Sequence, residues 1–419
     1  MDYLPRILDS LLDSALARSG AVQIKGPKWC GKTETAKQKA SSVLHLQDPD
    51  NVRTYLGLAE TKPSLLLEGA TPRLIDEWQM APSLWDAVRT TVDIRKKPGQ
   101  FILTGSSTPL EAGMHSGVGR ISRLVMRPMT LMESQDSSGA VSLGDLFNGQ
   151  HDIGAISNID IESIAHLLCR GGWPAAVTAA DQESALMQAV DYIDGLIDSD
   201  VSRMDGVSRN STRMRALVRS YARHIATQSS LSTIASDLEL GVGQLSANTV
   251  RDYVDALSRA FVIEDLEAWN PALRSATAIR TAPTRHFIDP SLGAAILGAT
   301  PARLLRDFES FGLMFESLCI RDVRVYSQRL DGVVFHYRDK TGSEADAVIV
   351  LRDGRWGLIE VKLGEKQVEP AANNLKKLAE RIDAQKMGRA SFLMVLTGGA
   401  AAYRRDDGVL VVPLGVLGP

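Results

Sequence analysis

Cysteine is scarce. Cys30, Cys169 and Cys319 are the only three in 419 residues, far apart and odd in number. That excludes a disulfide framework or a metal knuckle and fits a reducing cytoplasm. No apolar run reaches the roughly 20 residues of a spanning helix, so no membrane partner is expected. The opening MDYLPRILDSLLDSALARSG is amphipathic and acidic, without the basic and apolar regions of a secretory signal. No charge sign dominates: 47 Lys plus Arg against 50 Asp plus Glu leave a net charge of -3. A uniformly basic nucleic-acid coat is excluded, a local basic face is not. There is no internal repeat and no low-complexity tract. What is abundant is apolar side chain, 44% of residues, enough for sizeable cores and too much for general disorder. At roughly 100–200 residues per domain, the length suggests two to four domains.

The first third alternates short apolar strands with helices. Strands are expected at 21–25, 43–46, 73–75, 101–104 and 122–126, with a helix at 32–40, which predicts a parallel sheet covered on both faces. Residues 135–158, rich in Ser, Gly and Asp, read as a linker or surface loop. Residues 159–228 read as mostly helical, and 231–265 as helix, turn, helix, strand. From 308 a helix is followed by strands at 333–337, 345–350 and 357–361, a helix at 369–383, and strands at 392–396 and 409–412. The expected domains are 1–134, 135–228, 229–300 and 301–419.

Gly26, Pro27, Lys28, Trp29, Cys30, Gly31, Lys32 and Thr33 fit G-x-x-x-x-G-K-[ST] at every fixed position, with Glu34 following. Glycines let backbone N–H groups turn inward around phosphate oxygens, and the helix beginning near Lys32 adds its positive end. Lys32 is expected to reach the β- and γ-phosphates and Thr33 to offer a hydroxyl to Mg2+. The strand before and the helix after supply the context that a chance match would lack.

Pro72 to Glu77 is a strand ending in two carboxylates. Asp76 is the candidate to hold Mg2+ through its water shell, and Glu77 the candidate to polarise the attacking water. The next strand ends in Leu103, Thr104, Gly105 and Ser106, where ligands bind in open α/β sheets; Thr104 or Ser106 would sense the γ-phosphate or position the water. Both also read as an ordinary polar turn. Arg120, Arg123 and Arg127 surround the fifth strand. A guanidinium can stabilise charge on a transferring phosphoryl group, often across a subunit boundary, and Arg120 is the finger candidate. The other two read equally as surface residues or contacts to a neighbouring subunit.

These motifs, in this order over residues 18–133, resemble AAA+ ATPases. The nearest resemblance is to a bacterial and archaeal AAA+-like group whose C-terminal part is a domain of unknown function, number 4143, with a nuclease-like fold. GRISRLVMRPMTLMES is similar to that group's GR…L…P…E signature, and Gly171, Gly172, Trp173 and Pro174 to its GG-[YFW]-P turn. The resemblance implies ATP hydrolysis with Mg2+ more strongly than any one substrate. It also implies a ring of copies, with a hexamer as the expected number.

Residues 201–228 hold Arg203, Arg209, Arg213, Arg215, Arg219 and Arg223 against one acid, Asp205. Arg215, Arg219 and Arg223 share one helical stripe, able to follow a phosphate backbone or to form a solvated face or subunit contact. Residues 231–266 resemble a winged helix-turn-helix. Ser246 is the expected cap, and Asn248, Thr249 and Arg251 sit near the start of the second helix, where bases or phosphates are met. Asp252, Asp255 and a wing poor in basic residues depart from that pattern, and a protein-packing role fits them equally.

In the last domain Glu316 falls on a helix, Asp346 opens a strand, and Glu360 and Lys362 share one face of the next. Two carboxylates beside a lysine can hold Mg2+ and a water against a phosphodiester. The set resembles the D…E-x-K signature of the restriction-endonuclease-like fold; a surface carboxylate pair with a lysine partner is the alternative. The expected whole is a multidomain α/β protein: an AAA+ P-loop parallel-sheet domain, a helical region with a winged helix, and a restriction-endonuclease-like α/β domain. The expected function is ATP-driven DNA remodelling or translocation, for instance on branched DNA in recombination or repair. A nucleotide-controlled signalling switch and an ATP-gated defence nuclease are the alternatives.

Overall fold

Strands that are apolar at every position are buried on both faces, and the first sheet is built that way. In the computed structural model, residues 3–106, 116–200, 209–242, 246–271, 281–339, 342–382 and 384–419 are described. The chain divides into two compact units. Residues 1–128, joined by Arg259–Phe261, make the first; the second takes most of the chain from Met129.

The first unit holds five parallel strands: β1 (Ala21–Lys25), β2 (Ser42–His45), β3 (Arg73–Asp76), β4 (Phe101–Gly105) and β5 (Ile121–Val125), in the order β2-β3-β4-β1-β5. Successive residues feed opposite cores. Val22, Ile24, Leu74 and Ile102 join Leu8 and Leu12 of the helix Ile7–Arg18 on one face. Ile75, Phe101 and Leu103 join Trp78, Trp85 and Val88 on the other. All five expected strands are present. The helix after the phosphate loop is shorter than expected, Lys32–Lys37.

The second unit contains helices at Ile161–Arg170, Gln182–Gly195, Ser211–Arg223 and Pro290–Leu297, and then a seven-stranded mixed sheet. Its strands run β7-β12-β13-β11-β10-β9-β8, with β7 at Gly154–Ile156, β8 at Gly332–Arg338, β9 at Glu344–Leu351, β10 at Trp356–Lys362, β11 at Leu393–Thr397, β12 at Ala401–Arg404 and β13 at Leu410–Pro413. The helix Val368–Arg381 buries Val368, Ala371, Leu375 and Leu378, helical spacing, against Val348, Leu358 and Val395 of the sheet.

The segment 135–158 is not a plain linker. Val141–Ser142 (β6) pairs in parallel with Leu417–Gly418 (β14), and Gly154–Ile156 (β7) adds an antiparallel edge beside β12. Backbone groups make those bonds, and a Ser- and Gly-rich composition does not advertise them.

Two helices, Leu231–Val242 and Ala247–Arg259, stand where the helix-turn-helix is expected, with Ser246 Oγ accepting from Thr249 N at 3.1 Å as the cap of the second. Gly241 lies inside the first helix, and residues 243–245, between the two helices, lie outside the described residues. The expected return strand is reduced to isolated antiparallel bridges, Ile263 to Phe287 and Leu266 to Thr284. Arg203 and Asp205 also lie outside the described residues. Among the described residues, no helix is long and apolar enough to cross a membrane. Cys30, Cys169 and Cys319 are all buried and free.

A buried ion-pair node ties the family-like signatures together. Arg321 Nη1 meets Asp289 Oδ2 at 2.8 Å, and its Nε donates to Asp322 Oδ1 at 2.8 Å. Asp289 also accepts from Gly172 N at 2.9 Å, and Asp322 from Leu131 N at 3.0 Å. The Gly171–Pro174 turn and the 129–134 segment are thus fixed on one buried charge cluster.

Candidate active site

Parallel strands end together, so one edge of the first sheet collects their carboxyl-terminal residues. The register sets His45 beside Asp76, Asp76 beside Thr104, and Lys25 beside Gly105. The phosphate loop therefore leaves β1 on the same sheet edge as the two carboxylates, with β4 between them.

Two glycines allow the loop its shape. A Cβ on Gly26 would lie 2.1 Å from the Met126 carbonyl oxygen, and Gly31 has φ 101°. Lys32 is only 5% exposed, and its ammonium donates to the carbonyls of Gly26 at 3.0 Å and Pro27 at 2.5 Å. Trp29, at φ 60° and 64% exposed, projects from the loop.

Asp76 is the meeting point. Its Oδ1 accepts from Thr33 Oγ1 at 2.7 Å and from Thr104 Oγ1 at 2.6 Å, and its Oδ2 lies 3.1 Å from His45 Nδ1. Glu77 follows with φ 56°, a left-handed conformation that a non-glycine residue adopts at a cost. Gln79 Nε2 donates to its Oε2, and Ser106 Oγ reaches the same oxygen at 3.4 Å. Thr104 and Ser106 are thus each joined to one of the two carboxylates. Hydroxyl and carboxylate oxygens beside a phosphate loop suit Mg2+, which takes one or two protein oxygens and completes its shell with water and phosphate. Thr33 and Asp76 would hold it, and it would supply charge neutralisation to the transferring phosphoryl group.

Sequence reasoning missed three contributors. His45 ends β2 against Asp76, a position readable from the strand order only once β2 is placed beside β3. Gln79 holds Glu77. Arg6, 7% exposed, donates to Cys30 O and Arg127 O, both at 2.7 Å, and so braces the phosphate loop from behind.

Arg120 lies at the other edge. It precedes β5, whose Ile121 is in register with Ala21, and Ala21 N donates to Arg120 O at 3.1 Å. The length of β1, roughly 16 Å at about 3.3 Å per residue, separates that edge from the loop. Its guanidinium pairs with Asp93 at 2.8 Å, both side chains exposed. That hydrogen bond holds the Asp93 carboxyl below its usual range and Arg120 above its own. Arg18, Lys96 and Lys97 line the same open cavity of about 540 Å³, a cationic cluster not singled out in the sequence. Arg123 lies over the Trp85 ring, 5.6 Å from its centroid.

In the second unit, Arg215 is not a free cation: Asp194 at 2.6 Å and Asp198 at 3.6 Å both reach it. Arg223 meets Asp237 at 3.2 Å, whereas Arg219 is exposed. Asn248 and Arg251 are exposed and Thr249 partly so, while Asp252 is engaged by the buried Arg209 through Nε at 3.0 Å and Nη2 at 3.1 Å.

The C-terminal candidates do converge. Lys362 Nζ lies 2.8 Å from Glu360 Oε2 and 3.3 Å from Asp346 Oδ2, which also accepts from Val361 N at 2.7 Å. Asn374, missed in the sequence, donates to Glu360 Oε1 at 2.5 Å. Burial, then the neighbouring Asp346, pushes the Glu360 carboxyl up to about 8. The same two causes, in the same order, hold Glu316 well above the usual range. Among the described residues, no group of three or more His, Cys, Asp or Glu side chains is set to hold a metal ion. The lysine stands between the carboxylates as an ion-pair partner.

Comparison with known proteins gives three domain matches: an AAA domain over residues 18–135, a Domain of unknown function (DUF8612) over 161–303, and a Domain of unknown function (DUF4143) over 311–417. The chain carries an AAA domain followed by DUF4143, and it is an ATPase. Uncharacterised proteins of Mycobacterium bovis and Mycobacterium tuberculosis are each 24% identical over 355 residues, 84% of this chain and 72% of theirs. A Walker-type ATPase of Pyrococcus abyssi is 14% identical over 70% of this chain and 96% of that one, with a TM-score of 0.43. Thermotoga maritima RuvB is 15% identical over 61% of this chain and 86% of its own, with a TM-score of 0.24.

Proposed function

We propose that this ATPase uses hydrolysis to bind and remodel, or move along, DNA, with ATP and Mg2+ at Gly26–Thr33 and Asp76. The observation that carries the hydrolytic part is the convergence of Thr33 and Thr104 on Asp76, with Glu77 beside it. Glu77 takes the role of base: Gln79 and Ser106 hold its carboxylate at the sheet edge where an attacking water would be polarised. Lys32 and the loop N–H groups bind phosphate, and Trp29 and Lys28 flank it.

Arg120 acts in trans in this reading. The strand length between it and the phosphate loop removes a role in its own subunit, and an exposed pair with Asp93 exchanges readily for a neighbour's phosphate. Such sharing needs an assembly of copies, and a head-to-tail arrangement that closes on itself is a ring. DNA contact falls to Arg219 and Arg223, to Arg215 once freed from Asp194, and to Asn248, Thr249 and Arg251 of the winged-helix-like pair. ATP turnover measured without DNA and with single-stranded, duplex and four-way-junction DNA tests this reading. Stimulation by one or more forms supports a DNA motor. Unchanged turnover with all three favours the nucleotide-controlled switch.

A second reading is that the C-terminal domain is restriction-endonuclease-like and cuts DNA, and the convergence of Asp346, Glu360 and Lys362 favours it. Cutting would require Mg2+ or Mn2+ to displace Lys362 from its carboxylates. Asp346→Ala and Glu360→Ala would each abolish it while ATP hydrolysis continues. DNA bound yet uncut with either metal would leave this cluster a structural ion pair.

A further inference from the structure

A cavity of about 410 Å³ opens in the second unit between the end of the helix Ser211–Arg223, the short helix Pro301–Leu304, and the start of the helix Phe308–Arg329. Its floor is apolar: Ala222, Ile225, Leu304 and Met314 are all at most 2% exposed. Its rim is cationic. Arg219 and Arg223, one helical turn apart, face Arg303, which arrives from far along the sequence.

The acids nearby offset only part of this charge. Among the described residues, Asp307 is the one acid lining the cavity, and both its oxygens are engaged by Ser310, through N at 3.1 Å and Oγ at 2.7 Å. Asp237 reaches Arg223, but it also accepts from Ser220 Oγ at 3.0 Å and lies 3.0 Å from His224 Nε2. Arg303 gives Nη1 to the Gly298 carbonyl at 3.0 Å. Among the described residues, Arg219 meets no carboxylate.

Three guanidiniums around one opening repel each other, and the complement is an anion with several oxygens. A carboxylate satisfies one planar fork; a phosphomonoester presents three terminal oxygens and engages two or more. The apolar floor calls for a non-polar body behind the phosphate, and the volume lies in the range of small-molecule sites, about 300–1,000 Å³. We propose that this cavity binds a phosphomonoester carried on a nucleoside-sized body. The source is either a free nucleotide or the 5′-terminal nucleotide of a DNA strand. The site is separate from the phosphate loop, and only its second source draws on the DNA reading above.

The test uses the full chain carrying Lys32→Ala, so that the phosphate loop does not compete. Binding is titrated with thymidine 5′-monophosphate against thymidine, and with a short labelled single strand bearing a 5′-phosphate against the same strand with a 5′-hydroxyl. Preference for the phosphorylated form in either arm is expected, and the arm that shows it identifies the source. Adding Arg219→Ala with Arg303→Ala should weaken that binding at least about tenfold, the loss of charge-assisted bonds. Arg213→Ala, on the same helix but outside the cavity, should not. Circular dichroism confirms that the variants are folded. No phosphate preference in either arm overturns the proposal, as does a folded double variant that binds like its parent. Strand binding indifferent to the 5′-phosphate would overturn the strand-end source while leaving the DNA reading standing.

Discussion

Thr33 donates its hydroxyl hydrogen to Oδ1 of Asp76 across 2.7 Å, joining the phosphate loop to the end of a strand 43 residues later. The same oxygen accepts Thr104 from the neighbouring strand at 2.6 Å. The carboxylate is fixed by two hydroxyls before any metal is considered, so its direction is set by the sheet register. Asp76→Asn keeps the shape but removes the charge that attracts Mg2+. Half-maximal ATP hydrolysis should then need at least about tenfold more Mg2+, the equivalent of about 1.4 kcal/mol. A Mg2+ titration unchanged from wild type would remove Asp76 from the metal site.

Arg120 and Asp93 give a test of assembly. Arg120→Ala should bind ATP normally and lose hydrolysis, because the binding loop lies at the opposite sheet edge. Mixing it with Lys32→Ala protein should restore some turnover at hybrid interfaces. Two folded variants that stay inactive when mixed would assign Arg120 no role across subunits.

The buried Arg321 is a stability keystone. Arg321→Leu leaves Asp289 and Asp322 buried without their cation, and breaking such a cluster costs about 3–5 kcal/mol. Urea unfolding of the second unit measures it. A loss under about 1 kcal/mol would mean that the carboxylates find other partners.

Glu360 sets a pH dependence. With its carboxyl pushed up to about 8 by burial and Asp346, the folded chain keeps a proton that the unfolded chain releases near its ordinary value. Its contribution to stability is therefore greatest below that ordinary value and falls as pH rises towards 8. His286, held well below its usual range by burial, and His336, lowered by burial to about 4, act in the opposite sense, but only up to about pH 6.5. Between pH 7 and 8 the thermal midpoint should therefore drop, and Glu360→Gln should flatten that slope. Identical slopes in the two proteins would show that Glu360 is ionised throughout.

Much of the first unit was legible because its signals are local. A glycine loop, a strand ending in Asp76 and Glu77, and a strand ending at Thr104 each carry their chemistry within a few residues. What was not legible depends on contact across the chain. His45 matters only because β2 pairs with β3, and Arg6 only because a helix before the sheet folds back on Cys30. The strands at Val141–Ser142 and Gly154–Ile156 carry no apolar alternation, since edge pairing by backbone needs none. In the last domain, the spacing of Asp346, Glu360 and Lys362 foretold their meeting. It did not foretell that Asn374 would join them or that the lysine would sit between the acids.

The role of Glu77 beside the phosphate loop is tested most directly by measuring nucleotide binding and steady-state turnover together on wild type, Lys32→Ala and Glu77→Gln. Lys32→Ala should lose tight ATP binding. Glu77→Gln should bind ATP as wild type does and hydrolyse it at least about a hundredfold more slowly, since the geometry survives and the base is lost. Wild-type turnover in Glu77→Gln would contradict the assignment of Glu77 as the base.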